Sequence, residues 1–175
     1  MKKASKRKTE KTKPKVLVID DEEDIRKVLS EILKDNGYNA DSAGTGGEAL
    51  RKTKKKFYNL ALIDIKLPDI DGIELLTKIK ETKPKMRKII ITGYPALKNA
   101  VKALNKGADV YIIKPLNIDK VLATIEEQLE KQKVEQEMTE KQLVQYIETR
   151  VKQIEQNPKS LEKIQKSKDD KTSLK

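Results

Sequence analysis

Four short runs of branched apolar residues dominate this sequence, and each breaks off at polar side chains. Val16-Leu17-Val18-Ile19 ends at Asp20-Asp21, Leu60-Ala61-Leu62-Ile63 at Asp64, Lys88-Ile89-Ile90-Ile91 at Thr92, and Val110-Tyr111-Ile112-Ile113 at Lys114-Pro115. Short continuous apolar runs mark strands buried on both faces, as in a parallel sheet, and not the in-out alternation of a half-exposed antiparallel one. Ligands of open parallel sheets bind outside the carboxyl ends of the strands. The runs therefore predict one sheet edge lined with carboxylates, a hydroxyl and an ammonium, which is the outline of a phosphoryl-transfer site.

Helical patterns alternate with these strands. Ile25, Val28, Leu29, Ile32 and Leu33 have the spacing of an amphipathic helix, and Gly37 stands where that helix should stop. A weaker strand over 39–43 leads through Gly44-Thr45-Gly46-Gly47 into a helix over 48–56. After the strand ending at Asp64, the loop 66–72 opens a helix expected to reach Lys83, with Asp71 and Glu74 at capping-box spacing. Gly93-Tyr94-Pro95 precedes a helix to about Lys106, and Gly107 ends it. The last strand is expected over 109–114, with Asn117 capping a fifth helix that carries Ile118, Val121, Leu122, Ile125 and Leu129. Strands alternating with helices imply right-handed crossovers and helices on both faces of one sheet.

Composition narrows the chemistry. The 175 residues contain no Cys and no His, which excludes disulfides, thiolate nucleophiles and imidazole catalysis or ligation. No apolar stretch approaches the ~20 residues of a membrane span, and the basic start has no apolar region after it to make a secretory signal. A cytoplasmic location is expected. The net charge of +11 is concentrated in residues 1–15, which hold eight Lys or Arg against one Glu.

Asp20, Asp21 and Asp64, all at strand ends, are expected to converge. Like charges held together need a counter-charge, and an all-oxygen site beside a phosphate suits Mg2+. Lys114 supplies a fixed positive charge for phosphoryl oxygens and Thr92 a hydroxyl. A carboxylate beside the cation can itself attack phosphorus. Taken singly, a paired Asp at a strand end is a turn or helix cap, Thr92 an ordinary strand residue and Lys114 an edge lysine. Four strand ends together imitating one site is the less economical reading.

In order and interval, Asp20-Asp21, Asp64 with Leu67-Pro68 and Asp71-Gly72, Thr92-Gly93 and Lys114-Pro115 match a known family: the chain from about Lys15 to Lys131 resembles a response-regulator receiver domain. The resemblance implies a doubly wound α/β fold with a five-stranded parallel sheet in the flavodoxin-like order 2-1-3-4-5, to which the residues beyond it are expected to add a carboxy-terminal helical extension. It implies that Asp64 accepts a phosphoryl group from a histidine kinase or phosphotransfer protein. By the same resemblance, Asp21, Asp64 and the Lys66 carbonyl would bind Mg2+ directly and Asp20 through water, while Thr92 and Lys114 hold the phosphoryl oxygens. Tyr111 matches the aromatic position whose inward or outward pose tracks Thr92. The protein would assist its own phosphorylation and dephosphorylation without being a turnover enzyme.

Two residues depart from the family pattern: Lys66 stands where many relatives carry a smaller or uncharged residue, and Tyr94 is bulky. Both flank the path of an attacking water, so a slow loss of phosphate is expected. The chain divides into a basic arm (1–15, disordered), the receiver (16–131), a helical extension (132–157) and a polar tail (158–175, mostly disordered). The extension carries Val134, Met138, Leu143, Val144, Ile147, Val151 and Ile154, interrupted by five-residue steps. It continues the fifth helix, or a fresh helix starts at Thr139, whose spacing to Gln142 is that of a capping box. Its stripe offers a phosphorylation-dependent homodimer contact. An alternative is a scaffold or nucleic-acid-associated protein acting through the arm and the extension, with the receiver site regulatory or vestigial. A haloacid-dehalogenase-type phosphatase is disfavoured because its second acid is missing: Lys66 stands two residues after Asp64.

Overall fold

The computed structural model describes residues 12–156. Strands β1 (Lys15–Ile19), β2 (Asn39–Ala43), β3 (Leu60–Asp64), β4 (Arg87–Thr92) and β5 (Val110–Ile113) alternate with helices α1 (Glu23–Asp35), α2 (Gly46–Lys55), α3 (Gly72–Lys78), α4 (Leu97–Asn105) and α5 (Ile118–Gln156). All strand pairs are parallel, and the sheet order is β2-β1-β3-β4-β5.

Successive residues of the central strands enter different cores, as the two-residue repeat of a strand requires. Leu17, Ile19, Ala61, Ile63 and Ile90 pack with Ala49, Ile73, Leu75, Leu76 and Ala103 from α2, α3 and α4. Val16, Val18, Leu60, Leu62, Ile89 and Ile91 pack with Leu29, Leu33, Val121 and Ile125 from α1 and α5. Burying both faces of β1, β3 and β4 locks their register, because a one-residue slip would exchange the two cores. It also fixes Asp20, Asp64 and Thr92 at a common edge. Gly37 and Gly107 end α1 and α4 with φ of +86° and +95°, a conformation that disfavours side chains bearing a Cβ.

Most boundaries fall within two residues of the sequence expectation, and two of the differences bear on the architecture. Helix α3 stops at Lys78, five residues short of Lys83. The cause is tertiary: the buried Lys88 ammonium of β4 reaches into the α3 end and donates to the Leu76 carbonyl at 3.0 Å, also pairing with Glu81 at 3.2 Å. Ile79 is then free to leave the helix in extended form and stay buried. Lys15 opens β1, and Pro14 just before it is tied to β2. The Pro14 carbonyl accepts from the Asn39 amide at 2.9 Å, and the Lys15 amide donates to Asn59 Oδ1 at 2.9 Å. The rest of the arm up to residue 11, and the tail from 157, lie outside the described residues.

The chain divides into two compact units after Lys133. In the first, buried Gln132 anchors α5 by donating to the carbonyls of Asn59 and Lys85 and accepting from Asn59 Nδ2. In the second, the helix continues without a fresh start at Thr139. Its hydroxyl donates backward to the Glu135 carbonyl at 2.9 Å instead of capping a new first turn. Val134, Met138, Leu143, Val144, Tyr146, Ile147 and Val151 are exposed there.

Candidate functional site

The carboxyl ends of β1, β3 and β4, with Lys114 just past β5, build one acidic pocket. Asp20 and Asp64 are buried, and the Lys114 ammonium lies between them, 3.0 Å from Asp20 Oδ2 and 3.1 Å from Asp64 Oδ1. Glu22 adds a weaker, exposed contact to the same ammonium at 3.7 Å. The remaining carboxylate oxygens are also engaged: Asp20 Oδ1 accepts from the Glu22 amide at 2.9 Å, and Asp64 Oδ2 from the Lys66 amide at 2.6 Å. Burial raises the Asp64 pKa above the ordinary carboxylate value, against the opposing pull of Lys114 and the Lys66 amide. Burial also works to lower the Lys114 pKa, but its hydrogen bonds and attraction to Asp20 and Asp64 prevail, and the net shift is upward.

Of the three carboxylates expected at the strand ends, Asp20 and Asp64 meet around the Lys114 ammonium, and Asp21, next in sequence to Asp20, is exposed. Among the described residues, no three acidic side chains close tightly enough to enclose a metal by themselves. The Lys114 ammonium offsets part of the charge of the pair. The donor set still fits Mg2+, which takes one or two carboxylates, keeps several waters and prefers oxygen throughout.

Thr92 is fully buried at the end of β4, and its hydroxyl oxygen accepts from the Tyr94 amide at 3.1 Å. Tyr111 on β5 is partly buried against the core on the α2–α3–α4 side. Its hydroxyl is buried near the Ala96 backbone but completes no hydrogen bond of normal geometry. At the rim, the Lys66 ammonium lies over the Tyr94 ring, 3.1 Å from its centroid, a cation–π contact between the two residues singled out for the water path.

The loop after Asp64 is held by contacts that sequence spacing did not reveal. The Gly72 amide donates to the Ile65 carbonyl at 2.7 Å, and a Cβ at Gly72 would stand 2.0 Å from the Asp64 carbonyl oxygen. Glycine at 72 is therefore required by close approach. Asp71 caps α3 by accepting from the Ile73 amide, as its position predicts. Asp69 accepts from the amides of Gly46 and Gly47, tying this loop to the start of α2. Sequence spacing likewise gives no sign that Arg26, on α1, donates to the carbonyls of Asp20 and Asp21.

Comparison with known proteins agrees with this architecture. Residues 16–126 match the model of the response regulator receiver domain. The transcriptional regulatory protein ZraR of Klebsiella oxytoca is 40% identical over 114 residues, covering 65% of this chain and 26% of that protein. The nitrogen assimilation regulatory protein NtrX of Azorhizobium caulinodans is 37% identical over 133 residues, covering 74% and 29%. A CheY-like receiver domain structure from Methanospirillum hungatei JF-1 superposes with a TM-score of 0.68 at 45% identity, covering 71% of this chain and 99% of that one. The chain belongs to the response-regulator receiver family of two-component signalling. It spans about a quarter of the length of the curated relatives it matches. These matches support the signalling reading over the scaffold or nucleic-acid alternative. Among the described residues, no helix is long and apolar enough to cross a membrane.

Proposed function

We propose that this protein is a cytoplasmic phosphorylation switch in which Asp64 accepts a phosphoryl group from a histidine kinase or phosphotransfer protein. The observation that carries the reading is the Asp20–Lys114–Asp64 bridge at 3.0 and 3.1 Å, set at a strand edge that also holds Thr92. An Asp64 carboxylate oxygen attacks phosphorus, the bond to the donor's imidazole nitrogen breaks, and that nitrogen keeps the electron pair. The product is an acyl phosphate on Asp64. Asp21, Asp64 and the Lys66 carbonyl would hold Mg2+, with Asp20 reaching it through water, and the cation would neutralise the charge of the phosphoryl oxygens. Lys114, already 3.1 Å from Asp64, has the position and charge to pair with one phosphoryl oxygen, and the Thr92 hydroxyl to donate to another.

Moving the Thr92 hydroxyl toward a phosphoryl group takes it from its contact with the Tyr94 amide, and the pose of Tyr111 would follow it inward. That coupling changes the surface of α4 and β5, where Leu97, Val101, Leu104 and Ile113 are exposed. The output is a change of protein partner or a homodimer, and the protein is not a turnover enzyme. Lys66 stacked on Tyr94 screens the path of an attacking water, so the acyl phosphate is long-lived.

Fluorine NMR with Mg2+ and beryllofluoride, whose BeF3 group stands in for the phosphoryl group on Asp64, tests this directly. A bound resonance in the wild type that disappears in Asp64→Asn supports the assignment, and equal binding by both refutes it. Light scattering under the same conditions decides the output: a doubled mass supports the homodimer, and an unchanged mass assigns the output to a different protein.

A further inference from the structure

We propose that Arg26 is a positioning residue for the acidic pocket, holding the backbone of Asp20 and Asp21 from outside so that their carboxylates are presented to a divalent cation. The inference rests on the metal-binding reading above. Arg26 lies on α1, half-buried, and its Nη1 donates to two successive carbonyls, that of Asp20 at 2.7 Å and that of Asp21 at 2.8 Å. On the other side of the same segment, Asp20 Oδ1 accepts from the Glu22 amide at 2.9 Å. Residues 20–22 are thus tied both from the pocket and from behind it. Charge-assisted hydrogen bonds such as these are the stronger kind.

The guanidinium has a built seat. A Cβ placed on Gly44 would stand 3.2 Å from Nη1 and 3.3 Å from Cζ, so a side chain there would push the guanidinium aside by a few tenths of an ångström. The Gly44 amide is itself held by Glu48 Oε2 at 2.9 Å, which fixes the turn before α2. Through the guanidinium, this turn bears on where the Asp20–Asp21 backbone lies, beside the bond from the Asp20 amide to the Ala43 carbonyl at 3.2 Å.

Positioning and simple charge predict opposite signs. A guanidinium beside carboxylates repels an incoming cation, so if Arg26 acted only through its charge, a neutral replacement would tighten Mg2+ binding. If it acts by holding the two carbonyls, the same replacement loosens the ligands and weakens binding. Supports behind a metal ligand commonly carry tenfold or larger effects on affinity.

The test is Mg2+ titration of the full chain by amide NMR shifts, for the wild type, Arg26→Met, Arg26→Lys and Gly44→Ala, with thermal unfolding of each. Positioning predicts that Arg26→Met binds Mg2+ on the order of tenfold more weakly. Arg26→Lys, which keeps charged N–H donors, recovers most of the loss. Gly44→Ala crowds the guanidinium and falls between them. Faster amide exchange at Glu22 accompanies the loss in Arg26→Met. Affinity equal to or tighter than the wild type in a folded Arg26→Met overturns the inference. If that variant does not fold, Gly44→Ala decides, and unchanged affinity there overturns it. A wild type that binds no Mg2+ refutes the metal-site reading itself, a separate outcome.

Discussion

Replacing Lys114 by Met removes the single cation that separates two buried carboxylates. The Lys114 side chain keeps 19% exposure, and its partners Asp20 and Asp64 keep 5% and 7%. Deleting one partner of a buried ion pair leaves an uncompensated charge and costs roughly 3–5 kcal/mol. Because Lys114 sits at a partly open rim, the lower end applies, about 3 kcal/mol at neutral pH. At ~2–4 °C per kcal/mol for a protein of this size, the melting point falls by roughly 6–12 °C.

The loss depends on pH, and the sign follows from Asp64. Burial holds its folded pKa above the ordinary carboxylate value, so folding favours its protonated form, and that contribution to stability is lost as pH rises through the folded value. Without Lys114 the folded pKa rises further, and the stability of the variant falls more steeply with rising pH than that of the wild type. Urea unfolding followed by circular dichroism at several pH values measures the difference, since the chain has no Trp. The gap between variant and wild type should be largest near neutrality and close toward pH 4 as Asp64 takes up a proton. Adding Asp64→Asn to the Lys114→Met background should restore most of the lost stability. A gap that stays constant across this range, or a double variant no more stable than Lys114→Met, would refute the reasoning.

Other outcomes follow from the same geometry. Asp64→Asn alone should raise the melting point, because burial opposes the charge of that carboxylate; calorimetry at neutral pH would show it, and a fall would count against burial as the main influence. Gly72→Ala should destabilise by about 3 kcal/mol, the upper range for overpacking, since its methyl meets backbone and not a movable side chain; urea midpoints measure this. The Lys66→Ala, Tyr94→Ala double variant should lose its phosphoryl group faster than the wild type, read by phosphorus NMR after removal of the donor. A decay no faster would show that the stacked pair does not screen the site.

The strand ends were legible because the chain marks them doubly, with runs of apolar branched residues that must be buried, broken off at once by polar or charged ones. That contrast located Asp20, Asp64, Thr92 and Lys114 and, with the family resemblance, the sheet order. What was not legible depended on single side chains crossing between elements. The early end of α3 is set by Lys88 from β4, twelve residues after the carbonyl it satisfies. The pairing of Asp20 with Asp64 through Lys114, leaving Asp21 exposed, joins residues 94 positions apart and has no local signature. Arg26 has the ordinary spacing of an exposed helix residue, and only the placement of the Asp20 and Asp21 carbonyls distinguishes it. The continuation of α5 past Thr139 was open because that residue suits either a capping box or a backward bond to Glu135, and the structure takes the second.

The most direct test of the central claim is the intact mass of the full chain after incubation with a small acyl phosphate and Mg2+, beside Asp64→Asn. The account predicts one added phosphoryl group on the wild type, labile to hydroxylamine, and none on the variant. A wild type that gains nothing, or an Asp64→Asn chain that gains as much, would contradict it.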